Sequence, residues 1–310
     1  MKQHLYEKKL LELIQLKKDL WEKSFHDVRV MLLTVGFPCS GSSLVGYLLT
    51  AHPSIVIADE PFVYKAKDQL AEYINNINGI ELEETDCLYL ADLDKIFNVA
   101  LGLDYVRWLG KKKENRFTKG KRQKRYILVP NQYQGRFETL KVLGIKCSAK
   151  NVKSLLNENT LTSLKKRLEE RNICLKFILM VRNPYDMIGT KARKLDKNKD
   201  CTQKPITTDA ISRFEELSEE NMKLLKLIDP QDIFVSKHEE MVAGPRLQLT
   251  KLCEFLRMST SPDYLDSCAS CVDEKPNRRR FEFEWTPKQK QEVASLIEQY
   301  GFFSGYDWES

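Results

Sequence analysis

Residues 28–51 read Val-Arg-Val-Met-Leu-Leu-Thr-Val-Gly-Phe-Pro-Cys-Ser-Gly-Ser-Ser-Leu-Val-Gly-Tyr-Leu-Leu-Thr-Ala. The run Val28–Val35 is almost wholly apolar and short, the composition of a strand buried on both faces. Gly36 to Ser43 then form a glycine- and serine-rich turn, and Leu44–Leu49 continue as a helix. Strand, tight turn and helix start together place backbone N–H groups and a helix dipole where they cradle a phosphate. Gly36 and Gly41 stand five apart, as in a Walker A loop, but Ser42 occupies the position where that motif has lysine. The loop therefore predicts an anion and argues against ATP hydrolysis. It points to a nucleotide with a different transferable group.

Further short apolar runs follow: Ile55–Ile57, Leu140–Ile145, Leu175–Val181 and Asp232–Ser236. Helical patterns separate them at Ser43–Ala51, Asp68–Asn75, Leu93–Leu109, Thr160–Arg171, Asp209–Leu227, Arg246–Arg257 and Pro287–Gln299. Strands alternating with helices predict an α/β fold, a three-layer sandwich around a central parallel sheet of the P-loop nucleotide-binding type. Ligands in such sheets bind at the carboxyl ends of the strands, the end at which the glycine loop leaves. We expect residues 1–310 to form a single domain, with no internal repeat or long linker.

The composition excludes several classes. Hydrophobic residues make up 42% of the chain and charged residues 30%, which fits a water-soluble core-forming protein. No apolar run approaches the roughly 18 residues of a membrane span. Residues 1–26 mix Lys and Glu with Leu5, Leu10, Ile14 and Leu20. They read as an amphipathic helix with no signal-peptide core, which predicts a cytoplasmic protein. The eight cysteines then read as reduced thiols. Cys268 and Cys271 form a lone C-x-x-C pair, with neither a second pair nor a nearby histidine to complete a zinc site, and are read as ordinary thiols. The net charge of +6 is concentrated between Lys111 and Arg125, where nine Lys or Arg face one Glu. Only Phe117 interrupts that run, so it lacks the aromatic interleaving of a nucleic-acid face. It reads as a flexible basic surface loop, and no nucleic-acid or membrane partner is expected.

A second segment narrows the ligand. After Leu175–Val181, the residues Arg182-Asn183-Pro184-Tyr185-Asp186 break the strand. Pro184 suits the first turn of a new helix. Thr190 follows Arg182 by eight residues, a little over two helical turns. A guanidinium fork and a hydroxyl can then converge on one anion.

These segments together resemble the sulfotransferases that use 3′-phosphoadenosine 5′-phosphosulfate (PAPS). The likeness rests on Gly36–Ser43, Ala51-His52-Pro53, Asp59-Glu60, Arg182–Asp186 and Thr190. Later segments add to it: Phe234–Met241, the basic stretch Arg278–Trp285 and Gly305-Tyr306-Asp307-Trp308. The motif Pro-Cys-Ser-Gly-Ser-Ser-Leu most resembles bacterial natural-product sulfotransferases, the saxitoxin-pathway enzymes among them. The active site is similar to that of the tyrosylprotein sulfotransferases.

The resemblance implies a set of roles. Pro38, Cys39, Ser40, Gly41, Ser42, Ser43 and Leu44 would cradle the 5′-phosphosulfate, with the serine hydroxyls as added donors. Arg182 and Thr190 would hold the 3′-phosphate, and one of Arg278, Arg279 and Arg280 would close over it. Glu60, beyond the run Ile55–Ile57, would be the catalytic base. Lys146, ending the strand Leu140–Ile145, would be the cation at the leaving oxygen. The four histidines offer no good match to the histidine-based branch: His4 and His26 precede the first strand, His52 lies in a turn, and His238 stands at a tyrosine-like position. No metal is implied, and the product would be adenosine 3′,5′-bisphosphate. The chain departs from the family at Cys39, where a Lys or Arg is usual. That charge-assisted hydrogen bond is worth about 1.5–3 kcal/mol, and Lys146 or Lys65 would have to compensate. Phe62, in place of a peptide-contacting arginine, points to a small-molecule acceptor with a hydroxyl or amine. Two alternatives stand beside this reading: a P-loop kinase-like phosphotransferase, and a non-catalytic PAPS-binding protein.

Overall fold

The computed structural model describes residues 27–58, 129–133, 137–147, 149–195 and 204–310. The expected helix at 1–26, the helices Asp68–Asn75 and Leu93–Leu109, and the basic stretch 111–125 lie outside these residues, as does Glu60.

Five strands form one parallel sheet: β1 (Val30–Gly36), β2 (Ile55–Ala58), β3 (Val142–Lys146), β4 (Cys174–Val181) and β6 (Ile233–Lys237), in the order β2-β3-β1-β4-β6. A separate two-stranded ladder joins β5 (Lys204–Pro205) to β7 (Phe283–Glu284). The helices are α1 (Ser42–Thr50), α2 (Ala149–Leu155), α3 (Glu158–Glu169), α4 (Pro184–Leu195), α5 (Thr208–Leu225), α6 (His238–Ala243), α7 (Pro245–Phe255), α8 (Pro262–Ala269) and α9 (Pro287–Gln299).

The period-2 alternation of the central strands divides the core into two layers. Met31, Leu33 and Val35 of β1 and Phe177, Leu179 and Val181 of β4 pack with α2, α3, α5 and α9. Val30 and Leu32, with Ile178 and Met180, pack on the other face against α1, α7 and α8. The expected three-layer α/β sandwich is the observed one. On the second face Tyr264 donates to the Leu48 carbonyl at 3.0 Å, and the Cys268 thiol lies 3.7 Å from the same oxygen. Burial pushes the Cys253 and Cys268 thiols up to about 12, so both are protonated packing groups.

Strand order positions the site. The chain runs from β1 to β2 and back to β3 on one side, then crosses to β4 and β6 on the other. The reversal falls between β1 and β4, and crevices of doubly wound sheets open at such a switch point. Because the strands are parallel, the glycine loop, Lys146, Arg182 and His238 all emerge at one edge.

Strand ends agree with the sequence-based bounds to within two residues, and Pro287–Gln299 agrees at both ends. There a Thr286–Gln289 capping box and Pro287 in the first turn fix the start. The helices α2, α6 and α8 were not expected. Ser261 caps α8 through the Tyr264 N–H, with Pro262 next, a start signal written in the sequence.

Candidate active site

The glycine loop is built from backbone. At Gly36 (φ 121°) a Cβ would lie 2.4 Å from the Met180 carbonyl oxygen, so only glycine lets β1 close on β4 here. Phe37 anchors the next residue, its ring 5.1 Å from Phe214, 5.8 Å from Phe302 and 5.1 Å from Phe303. The chain then reverses through Cys39 (φ 73°) and Gly41 (φ 94°), both left-handed. Pro38 is exposed between these turns. The buried Ser40 ties the reversal shut: its N–H and its hydroxyl donate to the Phe37 carbonyl at 3.3 and 2.7 Å. Of the serine hydroxyls expected as added donors, that of Ser40 is engaged inside the loop.

Gly41 is the N-cap of α1 and makes no side-chain cap, and the first turn carries no acidic residue. The Val45 N–H donates to the Gly41 carbonyl at 3.2 Å and opens the helical ladder of α1. The N–H groups of Ser42, Ser43 and Leu44 precede it and have no acceptor within the helix. They point along the positive end of the helix dipole, a complement to an anion. Lys146 pairs with Thr34 across the β1–β3 ladder, and its Nζ donates to the Ser43 hydroxyl at 3.1 Å. The strand-end lysine thus sits on the first turn of α1, beside a loop whose own cation position is Cys39.

Arg182 follows β4 directly and is buried. One terminal nitrogen donates to the Cys39 carbonyl at 3.4 Å and the other to the Asn277 carbonyl, so the guanidinium bridges the glycine loop and the late basic segment. The rest of its motif is equally committed. Asn183 donates to the Asp307 carbonyl at 2.8 Å and the Ser310 hydroxyl at 3.1 Å, while accepting from the Tyr185 N–H at 3.1 Å. Tyr185 reaches the Lys290 carbonyl at 2.8 Å. The buried Asp186 accepts from the Arg280 N–H at 2.9 Å and pairs with its guanidinium at 3.3 Å. The Thr190 hydroxyl donates to the Asp186 carbonyl at 2.7 Å.

The three late arginines, indistinguishable in sequence, separate by burial. Arg280 is 0% exposed and held by Asp186 and the Ser310 carbonyl. It ties α4 to the residues that follow position 277. Arg279 pairs with Glu282 at its surface. Arg278 is exposed and makes no hydrogen bond or ion pair among the described residues.

Two residues that the sequence reading left aside stand in the same place. The β4–β6 pairing of Val181 with Lys237 brings His238 beside Arg182. A Cβ on Gly41 would come 2.5 Å from its Nδ1. Burial, then the Arg182 charge, lower its pKa to about 4, so the ring is neutral at pH 7. Glu239 accepts from the Asn183 N–H at 3.0 Å and from the Tyr306 hydroxyl at 2.5 Å. Tyr306 lies 67 positions further on, so no local pattern announces this contact. His52 instead locks its turn, accepting from the Ser54 N–H at 3.0 Å with its other ring nitrogen 2.8 Å from the Ser259 carbonyl.

The family model described as the sulfotransferase family matches residues 32–262. The chain belongs to the sulfotransferase family. No curated protein matches it in sequence. Among solved structures, the sulfotransferase STF9 from Mycobacterium avium is 14% identical, with a TM-score of 0.45 over 88% of this chain and 77% of that one. The sulfotransferase domain of the Synechococcus PCC 7002 olefin synthase is 16% identical, with a TM-score of 0.44 over 88% of this chain and 94% of that one. Mouse sulfotransferase SULT7A1, whose structure holds PAP, is 11% identical, with a TM-score of 0.43 over 88% of this chain and 84% of that one. In this sulfotransferase the matched segment takes in the glycine loop, Lys146 and the Arg182–Asp186 turn. No helix among the described residues is long and apolar enough to cross a membrane.

Proposed function

We propose that this sulfotransferase transfers a sulfuryl group from PAPS to a hydroxyl or amine of a small-molecule acceptor. The observation that carries the reading is Lys146 Nζ on Ser43, at the open first turn of α1. Free N–H donors, a cation and no acidic residue in that turn fit a phosphosulfate. PAPS supplies the sulfuryl group and yields adenosine 3′,5′-bisphosphate.

The residues divide the work. Ser42, Ser43 and Leu44 offer N–H groups to the 5′-phosphate, and the closed Phe37–Ser40 turn keeps them fixed, so little reorganisation is needed. Lys146 supplies the charge that Cys39 lacks and neutralises negative charge at the leaving oxygen. Arg182 has five donors, of which carbonyls take two. The remaining terminal N–H groups, with Thr190 and the exposed Arg278, suit the 3′-phosphate. Thr190 would turn its hydroxyl from the Asp186 carbonyl to do so. Glu60, two residues beyond the last residue of β2, is proposed as the base that takes the acceptor's proton. A natural product is the acceptor class we favour, from the Pro-Cys-Ser-Gly-Ser-Ser-Leu pattern. A saxitoxin-type alkaloid is one candidate from that class. Phe62 supports a small molecule over a peptide. The protonated, buried Cys253 and Cys268 suit the cytoplasmic setting we propose.

Incubation with radiolabelled PAPS and a panel of hydroxyl and amine acceptors tests the reading. Acceptor labelling is expected, and its loss in Glu60→Gln identifies the base. Unchanged turnover in Glu60→Gln would remove Glu60 from the mechanism. Binding of ATP–Mg²⁺ without binding of adenosine 3′,5′-bisphosphate would favour the kinase-like alternative. Binding of PAPS with no acceptor labelled would favour the non-catalytic one.

A further inference from the structure

The Arg182 side chain carries an unusual balance of contacts. Its Nε is buried and makes no hydrogen bond among the described residues. The carboxylate oxygen Glu239 Oε1 lies 4.0 Å from it. That carboxylate is pinned on both sides. Oε1 accepts from the Asn183 N–H at 3.0 Å, and Oε2 from the Tyr306 hydroxyl at 2.5 Å. Tyr306 is itself placed by its neighbours. Gly305 turns the chain with φ 88°, Lys237 Nζ donates to the Ser304 carbonyl at 2.7 Å, and the same ammonium lies 5.3 Å over the Tyr306 ring. Trp308 follows and packs edge-on against Tyr185 at 5.0 Å.

We propose that Glu239, held by Tyr306, is a positioning residue that aims Arg182 and so sets the preference of the site for a nucleotide with a second phosphate. The physical ground is the cost of a buried guanidinium. Arg182 leans on the carbonyls of Cys39 and Asn277, which carry only partial charge, so a formal negative charge beside it is needed to keep it desolvated and fixed. Glu239 supplies that charge at Nε, while the carbonyls engage the two terminal nitrogens. Its two hydrogen bonds stop the carboxylate from swinging across to claim the remaining N–H groups. Those stay available to an incoming phosphate. Burial and the Glu239 charge hold the Tyr306 phenol well above its usual pKa, so it remains a donor at any working pH. The segment Gly305–Trp308 is then part of the nucleotide site without touching the nucleotide.

The inference rests on the proposed reading of Arg182 as the 3′-phosphate residue, and the experiment separates the two. Calorimetry would measure binding of adenosine 3′,5′-bisphosphate and of adenosine 5′-monophosphate, which lacks the 3′-phosphate, to the wild type, Tyr306→Phe and Glu239→Gln. The wild type is expected to prefer the bisphosphate. Tyr306→Phe should weaken bisphosphate binding about tenfold and leave the monophosphate within about twofold, with Glu239→Gln acting in the same direction more strongly. A merely structural role would weaken both nucleotides together, so equal losses, or no loss, overturn the proposal. A wild type that binds the two nucleotides equally removes the assignment of Arg182, and this inference with it. If Tyr306→Phe does not fold by circular dichroism, Glu239→Gln, which keeps shape and one acceptor, gives the same comparison.

Discussion

The glycine loop and the Arg182–Asp186 turn leave adjacent strands, β1 and β4, at the same edge of the sheet, yet they are built in opposite ways. The loop works by leaving things out. It has no side chain at Gly36 or Gly41, no cap on α1 and no acidic residue in the first turn. The turn works by commitment: Arg182, Asn183, Tyr185 and Asp186 each hold a different part of residues 277–310. A motif that reads in sequence as an anion site is, in three dimensions, also a bracket that brings the late basic segment to the loop. Similar-looking signature segments can therefore fail for different reasons, the one through lost chemistry and the other through lost architecture.

That contrast yields an ordered set of outcomes. The largest belongs to the bracket. Asp186→Ala leaves the fully buried Arg280 without its carboxylate, and unfolding by urea should show a loss of about 3–5 kcal/mol. A loss below about 1 kcal/mol would mean that the turn is not architectural. Next comes the loop. Lys146→Ala should lower kcat with PAPS about 10²–10³-fold while the urea midpoint barely moves. An equal fall in stability would erase the distinction between the two regions. Third, Gly41→Ala forces a Cβ into the left-handed region and against His238, at a cost of about 1–3 kcal/mol. The double variant Gly41→Ala with His238→Ala should recover the steric part and keep the backbone part, as read from thermal unfolding. The smallest effect is protonic. Burial and the Arg182 charge lower the His238 ring to about 4 in the folded protein, against about 6.5 for an unperturbed histidine. Between those values the unfolded chain holds a proton that the folded one lacks, so stability falls as pH drops through the window. The slope should account for roughly 1–2 kcal/mol once solvent screening is allowed for, and His238→Gln should flatten it.

The fold was legible because its determinants are local. The apolar runs, the turn at Gly36–Gly41 and the Thr286-Pro287 start of α9 each declare themselves within a few residues. The α8 start at Ser261-Pro262 is equally local. The site was legible only where backbone geometry makes it. Which of Arg278, Arg279 and Arg280 is buried depends on Asp186, more than 90 positions earlier, and sequence spacing carries no trace of that. Glu239 with Tyr306, and His238 with Gly41, are likewise contacts between residues far apart in sequence. The register of β6 against β4 sets His238 and Glu239 beside Arg182, the β1–β4 pairing brings Gly41 to the same edge, and Tyr306 arrives from residues 300–310; the residue types alone do not announce it.

Phe37 has a consequence for how the molecule is made. Its ring packs on Phe302 and Phe303, which a ribosome adds more than 260 residues later. At about 5–20 residues per second, the nascent loop waits on the order of tens of seconds for that aromatic cover. During the wait Phe37 is an exposed apolar side chain at the head of an unfinished sheet. Residues translated long after the loop are the ones that let it settle, so a stall between the two would leave a chain that has its signature loop and lacks its support.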